Sequence, residues 1–523
     1  MRQVPQASEN LSCSSHYQNM YSKINSCAVL GLDCQLVEVE TAISSQVRKF
    51  KIVGLPDMAV QEARERVFLA FRNSDIEFPK HKVTVNLAPA DIKKEGPSYD
   101  MPMAVSILKA SEQITDDISD SLFVGELALD GQLRHTNGIL PVAIFAKENN
   151  FKKLFIPAIN AQEASLITEI EIYPVQNLDQ LFRHLTGLEQ INPLDKNLLD
   201  DLDEKETFDV DMAYVKGQEH AKRALEIAAS GAHNVLMSGP PGSGKTLLAK
   251  TLPSILPQMT NEEILEVTKM YSIAGILPEK NPLISKRPFR SPHHTSSGVA
   301  LVGGGKFPKP GEISLAHRGV LFLDELPEFP RSVLENLRQP LEDGVISISR
   351  AQGTIAYPAR FMMIASQNPC PCGYHNDPEK PCTCSAAQII QYQKKISGPI
   401  LDRIDIHLEV PRVKFEKLQS EDGGELSNNI RTRVIESANI QRKRFSDLPI
   451  NFNAEMRTQE IKEFCKLDDK CLDIMKSAVK QMHLSPRSYH RILKLARTIA
   501  DLDHKYNLDV QHVAEALQYR PKS

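Results

Sequence analysis

An excess of either charge is the first thing this chain lacks: 62 lysines and arginines face 66 aspartates and glutamates, a net −4 at pH 7. That near-balance excludes a protein-wide field, so a nucleic-acid partner must be met by local basic patches. Long apolar runs are also missing. No stretch approaches the roughly 18 residues that a spanning helix needs, and no charged-then-apolar start precedes a small-residue cleavage site. The expectation is a cytoplasmic protein with no membrane segment. Cysteine is scarce, nine in 523 residues, and four of the nine lie between 370 and 384. That distribution argues against a secreted disulfide framework and leaves thiols or a metal. What remains is ordinary: 41% hydrophobic residues, in a chain long enough for about two to four domains.

The strongest local signal is Gly239-Pro240-Pro241-Gly242-Ser243-Gly244-Lys245-Thr246, after the apolar run Val235-Leu236-Met237 and before the helical pattern Leu247-Leu248-Ala249-Lys250. Strand, glycine loop and helix are the context a phosphate loop requires. Glycines 239, 242 and 244 let backbone N–H groups turn inward around a polyphosphate, and the helix N-terminus adds its positive end. Lys245 supplies a mobile cation, and the Thr246 hydroxyl can hold Mg2+. Downstream, Gly319-Val320-Leu321-Phe322-Leu323-Asp324-Glu325 reads as a buried parallel strand delivering two acids to the carboxyl edge of a sheet. Asp324 suits the Mg2+ shell, and Glu325 suits orienting or deprotonating the attacking water. A nucleotide hydrolase is expected.

The rest of the chain organises around that core. Residues 1–20 are polar and aperiodic, which predicts a disordered tail. From 21 to 185, strand-like runs alternate with helical ones, a mixed α/β domain. Between 186 and 211 nine acids face two lysines, which predicts a solvated linker. Residues 212–411 hold the phosphate-loop core, and 412–523 are dominated by helical patterns. Leu301 to Gly311 is too rich in glycine and proline for a helix, whereas Gly344 to Ile355 reads as a hairpin turning near Gln352-Gly353. From 286 to 312 five lysines and arginines face one acid, beside His293 and His294. Cys370, Cys372, Cys382 and Cys384 form C-x-C-x9-C-x-C, a spacing that suits a structural Zn2+; reduced thiols or disulfides are the alternatives.

Taken together, KGQEHAKRALEIAASGAHNVLMSGPPGSGKT, RPFRSPHHTSSGVALVGGGKFPKPGEISLAHRGVLFLDELPEF, ASQNPCPCG, GPILDRIDIHLEV and LSPRSYHRILKLARTIADL resemble the ComM/YifB-like family of magnesium-chelatase-like AAA+ ATPases, over about Tyr21 to Gln518. The resemblance implies an α/β P-loop AAA+ core with a C-terminal helical lid. It places Gly217 and Gln218 beside the adenine, Asn368 as the sensor amide, Arg403 as an arginine finger reaching a neighbouring subunit, and Arg487 as the lid arginine. It further implies a homohexamer moving single-stranded or branched DNA, with both insertions projecting into its channel and Lys306, Lys309 and Arg350 on the DNA. Branch migration during natural transformation is the implied task. The segment DIKKEGPSYDMPMAVSILKA is similar to the nucleophile segment of Lon-type proteases, with Ser98 in the serine position, so a Lon-protease-like α+β domain precedes the core. The lysine such proteases need is missing after Leu140-Pro141, and a serine without its base is not activated. Two other activities remain as alternatives: a chelatase-type ATPase that remodels a protein for metal insertion, and a Lon-like protease.

Overall fold

The computed structural model describes residues 20–54, 57–91, 94, 96–194, 208–278, 282–305, 309–350, 353–413 and 424–521. Of the expected tail over 1–20, residues 1–19 lie outside them, and Met20 opens a strand instead. The chain forms two compact units, Met1–Asp201 and Leu202–Ser523.

In the first unit, alternating apolar residues make one long hairpin, Met20–Leu30 with Asp33–Ser44, closed at Leu30 and Asp33 around Gly31 at φ 64°. It lies inside a seven-stranded sheet. On one side come Lys82–Ala88, antiparallel, and then Phe50–Val53. On the other come Ser121–Phe123, Lys153–Pro157 and Glu171–Val175, all parallel. Helices Met58–Asn73, Asp100–Ala110, Ile139–Glu148 and Leu178–Leu185 complete the unit. The first is started by Asp57, whose side chain accepts from the Val60 N–H at 2.8 Å, satisfying an N-terminal donor. Ser98 carries no amine partner among the described residues. The lysine on the Ile139–Glu148 helix, Lys147, pairs with Glu169 at 2.8 Å instead.

The acidic stretch is less of a linker than its charge predicts. Ile191 is buried in the first unit's core, and the Leu194 N–H donates to the Ile172 carbonyl at 2.8 Å. At the other end, Asp211 accepts from the N–H groups of Ala213, at 2.8 Å, and Ser427, at 3.1 Å, in the second unit. Only residues between these anchors can be connection, and 195–207 lie outside the described residues.

The second unit is built on a five-stranded sheet in the spatial order Phe289–Arg290, Val320–Leu323, Met362–Gln367, Val235–Ser238, Ile406–Glu409. Every neighbouring pair is parallel. Both faces are covered, as parallel sheets require. Val235, Met237, Val320, Phe322, Met362 and Ile364 join the core shared with the C-terminal helices, whereas their sequence neighbours Leu236, Leu321, Leu323, Met363 and Ala365 face a second core. Truncating the nearly inaccessible Phe322 to alanine would cost about 3–5 kcal/mol. The C-terminal helices are Ser427–Arg444, Thr458–Phe464, Asp469–Gln481, Pro486–Leu502 and Val510–Gln518. Buried Asp501, on Pro486–Leu502, ties that helix to the end of Ser427–Arg444 through Arg444 and to Asn453, and pairs with Arg497 on its own helix.

One sequence expectation fails at its first two residues, Leu301 and Val302, which close a short helix, Gly298–Val302, started by the Ser297 hydroxyl, which accepts from the Ala300 N–H at 3.1 Å; the glycines that argued against a helix begin only at 303. Gly303–Gly304 then pairs with Lys309–Pro310. The second insertion is a hairpin, Val345–Arg350 with Gly353–Pro358, and its turn lies outside the described residues.

Candidate nucleotide site

After Val235–Ser238 the chain runs to the far edge of the sheet and returns strand by strand, before Ile406–Glu409 is added on the opposite side. The reversal falls beside the Val235–Ser238 strand, and crevices at such reversals, beyond the carboxyl ends, are where open α/β sheets take ligands. The glycine loop occupies that place. Gly239 is pinned by its N–H to the Gln367 carbonyl at 3.3 Å, and an added Cβ would stand 2.1 Å from the Val410 carbonyl oxygen. Gly242 and Gly244 have open space around them but φ of 77° and 91°, so their reason is conformational. Pro240, Pro241 and Ser243 complete the loop, and helix Lys245–Thr251, carrying Thr246 and Leu247, follows at once.

Lys245 is buried, and burial lowers its pKa from the usual value against the pull of Asp324 and Glu325. Its ammonium donates to the carbonyls of Gly239, at 2.7 Å, and Pro240, at 3.0 Å, and to Asn368 Oδ1 at 3.4 Å. Oxygen atoms of the protein thus solvate the cation where phosphate oxygens would. The Thr246 hydroxyl donates to Asp324 Oδ2 at 3.0 Å, so these two oxygens can share one Mg2+. Ser366, on the adjacent strand, donates to Asp324 Oδ1, and the Glu325 N–H reaches both of them at 3.2 Å. Glu325 is held at φ 54°, a strained setting for a non-glycine residue. Its carboxylate is half exposed, 3.9 Å from His294 Nδ1.

Gly217 and Gln218 both have positive φ, and Gln218 donates to the Pro411 carbonyl, tying the start of helix Glu219–Gly231 to the chain just beyond the Ile406–Glu409 strand. Arg403 and Arg487 are brought together, but not with the phosphate loop. Both hold Glu342, Arg487 at 3.3 Å, in a cavity of about 500 Å3. Sequence reasoning misses Glu342, Ser366 and His294. A lone polar residue in Met362-Met363-Ile364-Ala365-Ser366 signals the second; the histidine pair reads in sequence only as basic surface.

The four clustered cysteines converge. Their sulfurs lie within 4.8 Å of one another, with Cys370–Cys372, Cys372–Cys382 and Cys370–Cys382 at 3.3, 3.5 and 3.7 Å. A tetrahedral zinc with bonds of about 2.3 Å needs sulfurs about 3.8 Å apart, so the set fits that ion. Backbone N–H groups of Tyr374 and then Thr383 pull the Cys372 thiol down to about 5, which favours a thiolate ligand. Cys370 follows Asn368 by two residues, and a Cβ on Gly373 would meet Pro241 of the phosphate loop at 2.5 Å. Asp377 is engaged otherwise, by Arg412 at 3.1 Å and by the Glu379 and Lys380 N–H groups.

Of the residues expected on DNA, Lys309 is exposed and donates to the Ala274 carbonyl at 3.4 Å. Lys306 lies outside the described residues, and Arg350 is the last residue of the Val345–Arg350 strand. The two insertions pack together, since a Cβ on Gly303 would lie 3.3 Å from Ile348 Cδ1.

A parallel sheet that presents a glycine loop, a loop lysine and a neighbouring Thr–Asp–Glu cluster at its reversal defines a P-loop ATPase. Family comparison narrows the class. Residues 211–418 match the model described as magnesium chelatase, subunit ChlI, residues 39–160 that of subunit ChlI of Mg-chelatase, and residues 424–520 that of the subunit ChlI C-terminal region. The chain is 44% identical to competence protein ComM of Haemophilus influenzae over 95% of its own length and 97% of the relative's. It is 41% identical to the uncharacterized protein YifB of Escherichia coli, with 95% and 97% covered. The magnesium-chelatase subunit ChlI of Euglena gracilis is 24% identical over 30% of this chain and 51% of that one. The chain belongs to the ComM/YifB family of magnesium-chelatase-like AAA+ ATPases. Among the described residues no helix is long and apolar enough to cross a membrane.

Proposed function

We propose that this chain is the subunit of a homohexameric ATP-driven DNA motor that moves branch points in recombination intermediates. The carrying observation is that Arg403 and Arg487 are held on Glu342, apart from the nucleotide site of their own chain. Lys245, Thr246, Asp324, Glu325 and Asn368 are together, whereas Arg403 and Arg487 have no hydrogen bond or ion pair to the phosphate loop among the described residues. Arginines supplied by a neighbour complete such a site, and a head-to-tail contact of that kind closes into a ring. The chemistry then divides by residue. Lys245 and the loop N–H groups hold the triphosphate, with Gly217 and Gln218 beside the adenine. Thr246 and Asp324 would hold a Mg2+, which would supply charge neutralisation to the phosphates. Glu325 orients the attacking water, Asn368 fixes its position, and the neighbour's Arg403 and Arg487 stabilise charge in the transition state.

The C-terminal helices serve as the lid, and the first unit as a Lon-like scaffold without peptidase activity. The four cysteines hold one zinc, which cross-links the turn after Asn368. The adjoining insertions support a DNA path along Lys306, Lys309 and Arg350, and the resemblance to a competence protein supports DNA as the substrate. The reading is tested with a synthetic four-way junction: ATP should drive its conversion to duplexes with the wild-type protein and not with Glu325→Gln. Rapid ATP turnover with junctions left intact would count against it, and would favour the chelatase-type alternative in which a protein partner is remodelled.

A further inference from the structure

Glu342 joins the two arginines that the nucleotide site lacks. Its Oε2 pairs with Arg403, and its Oε1 accepts from Arg487 Nη2 at 3.3 Å. The Arg403 guanidinium is otherwise incompletely satisfied. Nη1 donates to the Pro399 carbonyl at 2.7 Å, while Nε is buried with no partner among the described residues. A guanidinium is a planar fork made for two-oxygen acceptors, and a carboxylate and a phosphoryl group present the same pair of oxygens. Glu342 therefore occupies the place that a phosphoryl group would take. With 49% of its side chain exposed, Glu342 can turn out into water, which solvates its charge, whereas the Arg403 side chain, 10% exposed, is held by its surroundings. The cavity around the three also presents Arg360, Arg491 and Lys494 beside Asp343, Asp405, Glu455 and Glu460; Arg491 is paired with Asp405 and Arg360 lies 3.9 Å from Glu455, so Arg403 and Arg487 are the two cations there that Glu342 itself holds.

The second observation is where Glu342 sits. It lies on helix Arg338–Asp343, one residue before the helix ends, and Gly344 at φ 67° leads straight into the Val345–Arg350 strand of the inserted hairpin. The Ala359 N–H returns to the Gly344 carbonyl at 2.7 Å and closes the hairpin on that glycine. A Cβ there would stand 2.9 Å from Arg360 Cγ, so the left-handed joint is tightly packed. Displacement of the hairpin must pass through this joint to Glu342.

We infer that Glu342 is a latch: it competes with the neighbouring subunit's triphosphate for Arg403 and Arg487, and nucleic acid pressing on the 345–358 hairpin ends that competition. The inference rests on the reading that both arginines act across a subunit interface. It makes Glu342 a positioning residue, acting on hydrolysis through the arginines, and it ties hydrolysis to DNA through a single side chain.

Glu342→Gln keeps the shape and removes the charge. Steady-state hydrolysis is measured against ATP concentration, with and without a single-stranded oligonucleotide, for the wild type, Glu342→Gln, Glu342→Ala, Arg403→Ala and the Glu342→Gln/Arg403→Ala double variant. Both Glu342 variants should raise the DNA-free kcat about tenfold, about 1.4 kcal/mol, and the ratio of stimulated to basal kcat should fall toward one. The double variant should lose the gain, because the finger that the latch would release is gone. A basal kcat at or below the wild-type value in both Glu342 variants, with the stimulation ratio intact and Arg403→Ala inactive, overturns the latch alone. Full hydrolysis by Arg403→Ala overturns the interface reading, and the latch falls with it.

Discussion

Replacing Lys245 by alanine removes a cation that three protein oxygens already solvate, at 2.7, 3.0 and 3.4 Å. To meet a phosphate the ammonium has to exchange those partners, so its net contribution is smaller than the bare attraction. The attraction sets a ceiling of about 4 kcal/mol for unit charges 4 Å apart at an effective dielectric constant of about 20. A hydrogen bond to a charged group has a net worth of about 1.5–3 kcal/mol. Lys245→Ala should therefore weaken ATP binding about 10- to 150-fold, at about 1.4 kcal/mol per decade. Glu325→Gln supplies the contrast. Its side chain is half exposed and attracts the loop lysine only at a distance, with no hydrogen bond or ion pair to it among the described residues, so its ATP Kd should stay within about twofold while turnover falls at least about 100-fold, the usual loss for a positioned acid–base group. Titration with a fluorescent ATP analogue in Mg2+, followed by turnover assays on the same samples, separates the two. Equal losses of affinity in both variants would refute the division of labour between the lysine and the acid.

Three further outcomes are expected. Arg403→Ala should bind ATP without hydrolysing it, and mixing it with Glu325→Gln should restore turnover at interfaces that pair an intact Arg403 with an intact Glu325; a mixed ring that stays inactive would remove Arg403 from the role of a finger in trans. Metal analysis of protein prepared without chelator should find about one zinc per chain on Cys370, Cys372, Cys382 and Cys384, and four freely titratable thiols in the folded protein would contradict it. Exchanging Lys306, Lys309 and Arg350 together for alanine should flatten the plot of log affinity for DNA against log salt by about 0.7–0.9 for each phosphate no longer neutralised. An unchanged slope would move the DNA path away from the insertions.

Local signals are legible in the sequence where one short stretch carries its own context. Val235 to Lys250 announces strand, loop and helix, and Val320 to Glu325 announces a buried strand ending in acids, because both depend on neighbours in the chain. The five C-terminal helices are readable to within a few residues for the same reason, each having its own apolar period. What escapes depends on distant partners. Ser366 meets Asp324, and Glu342 meets Arg403 and Arg487, only once the strands are laid side by side. The acidic stretch from 186 misleads because charge density says nothing of Ile191, which is buried among residues far away in sequence. The Gly298–Val302 helix is hidden by the glycines after it, although Ser297 with the apolar residues Val299 to Val302 carries the starting signal.

DNA-dependent turnover is the measurement that bears most directly on the account. ATP hydrolysis by the purified full-length protein is followed as single-stranded and branched oligonucleotides are added, with Glu325→Gln as the blank. The account predicts a rate that rises with DNA and saturates, in both ligand series, and a rate at least about 100-fold lower from the blank. A wild-type rate that is unchanged by saturating DNA of either kind would contradict it.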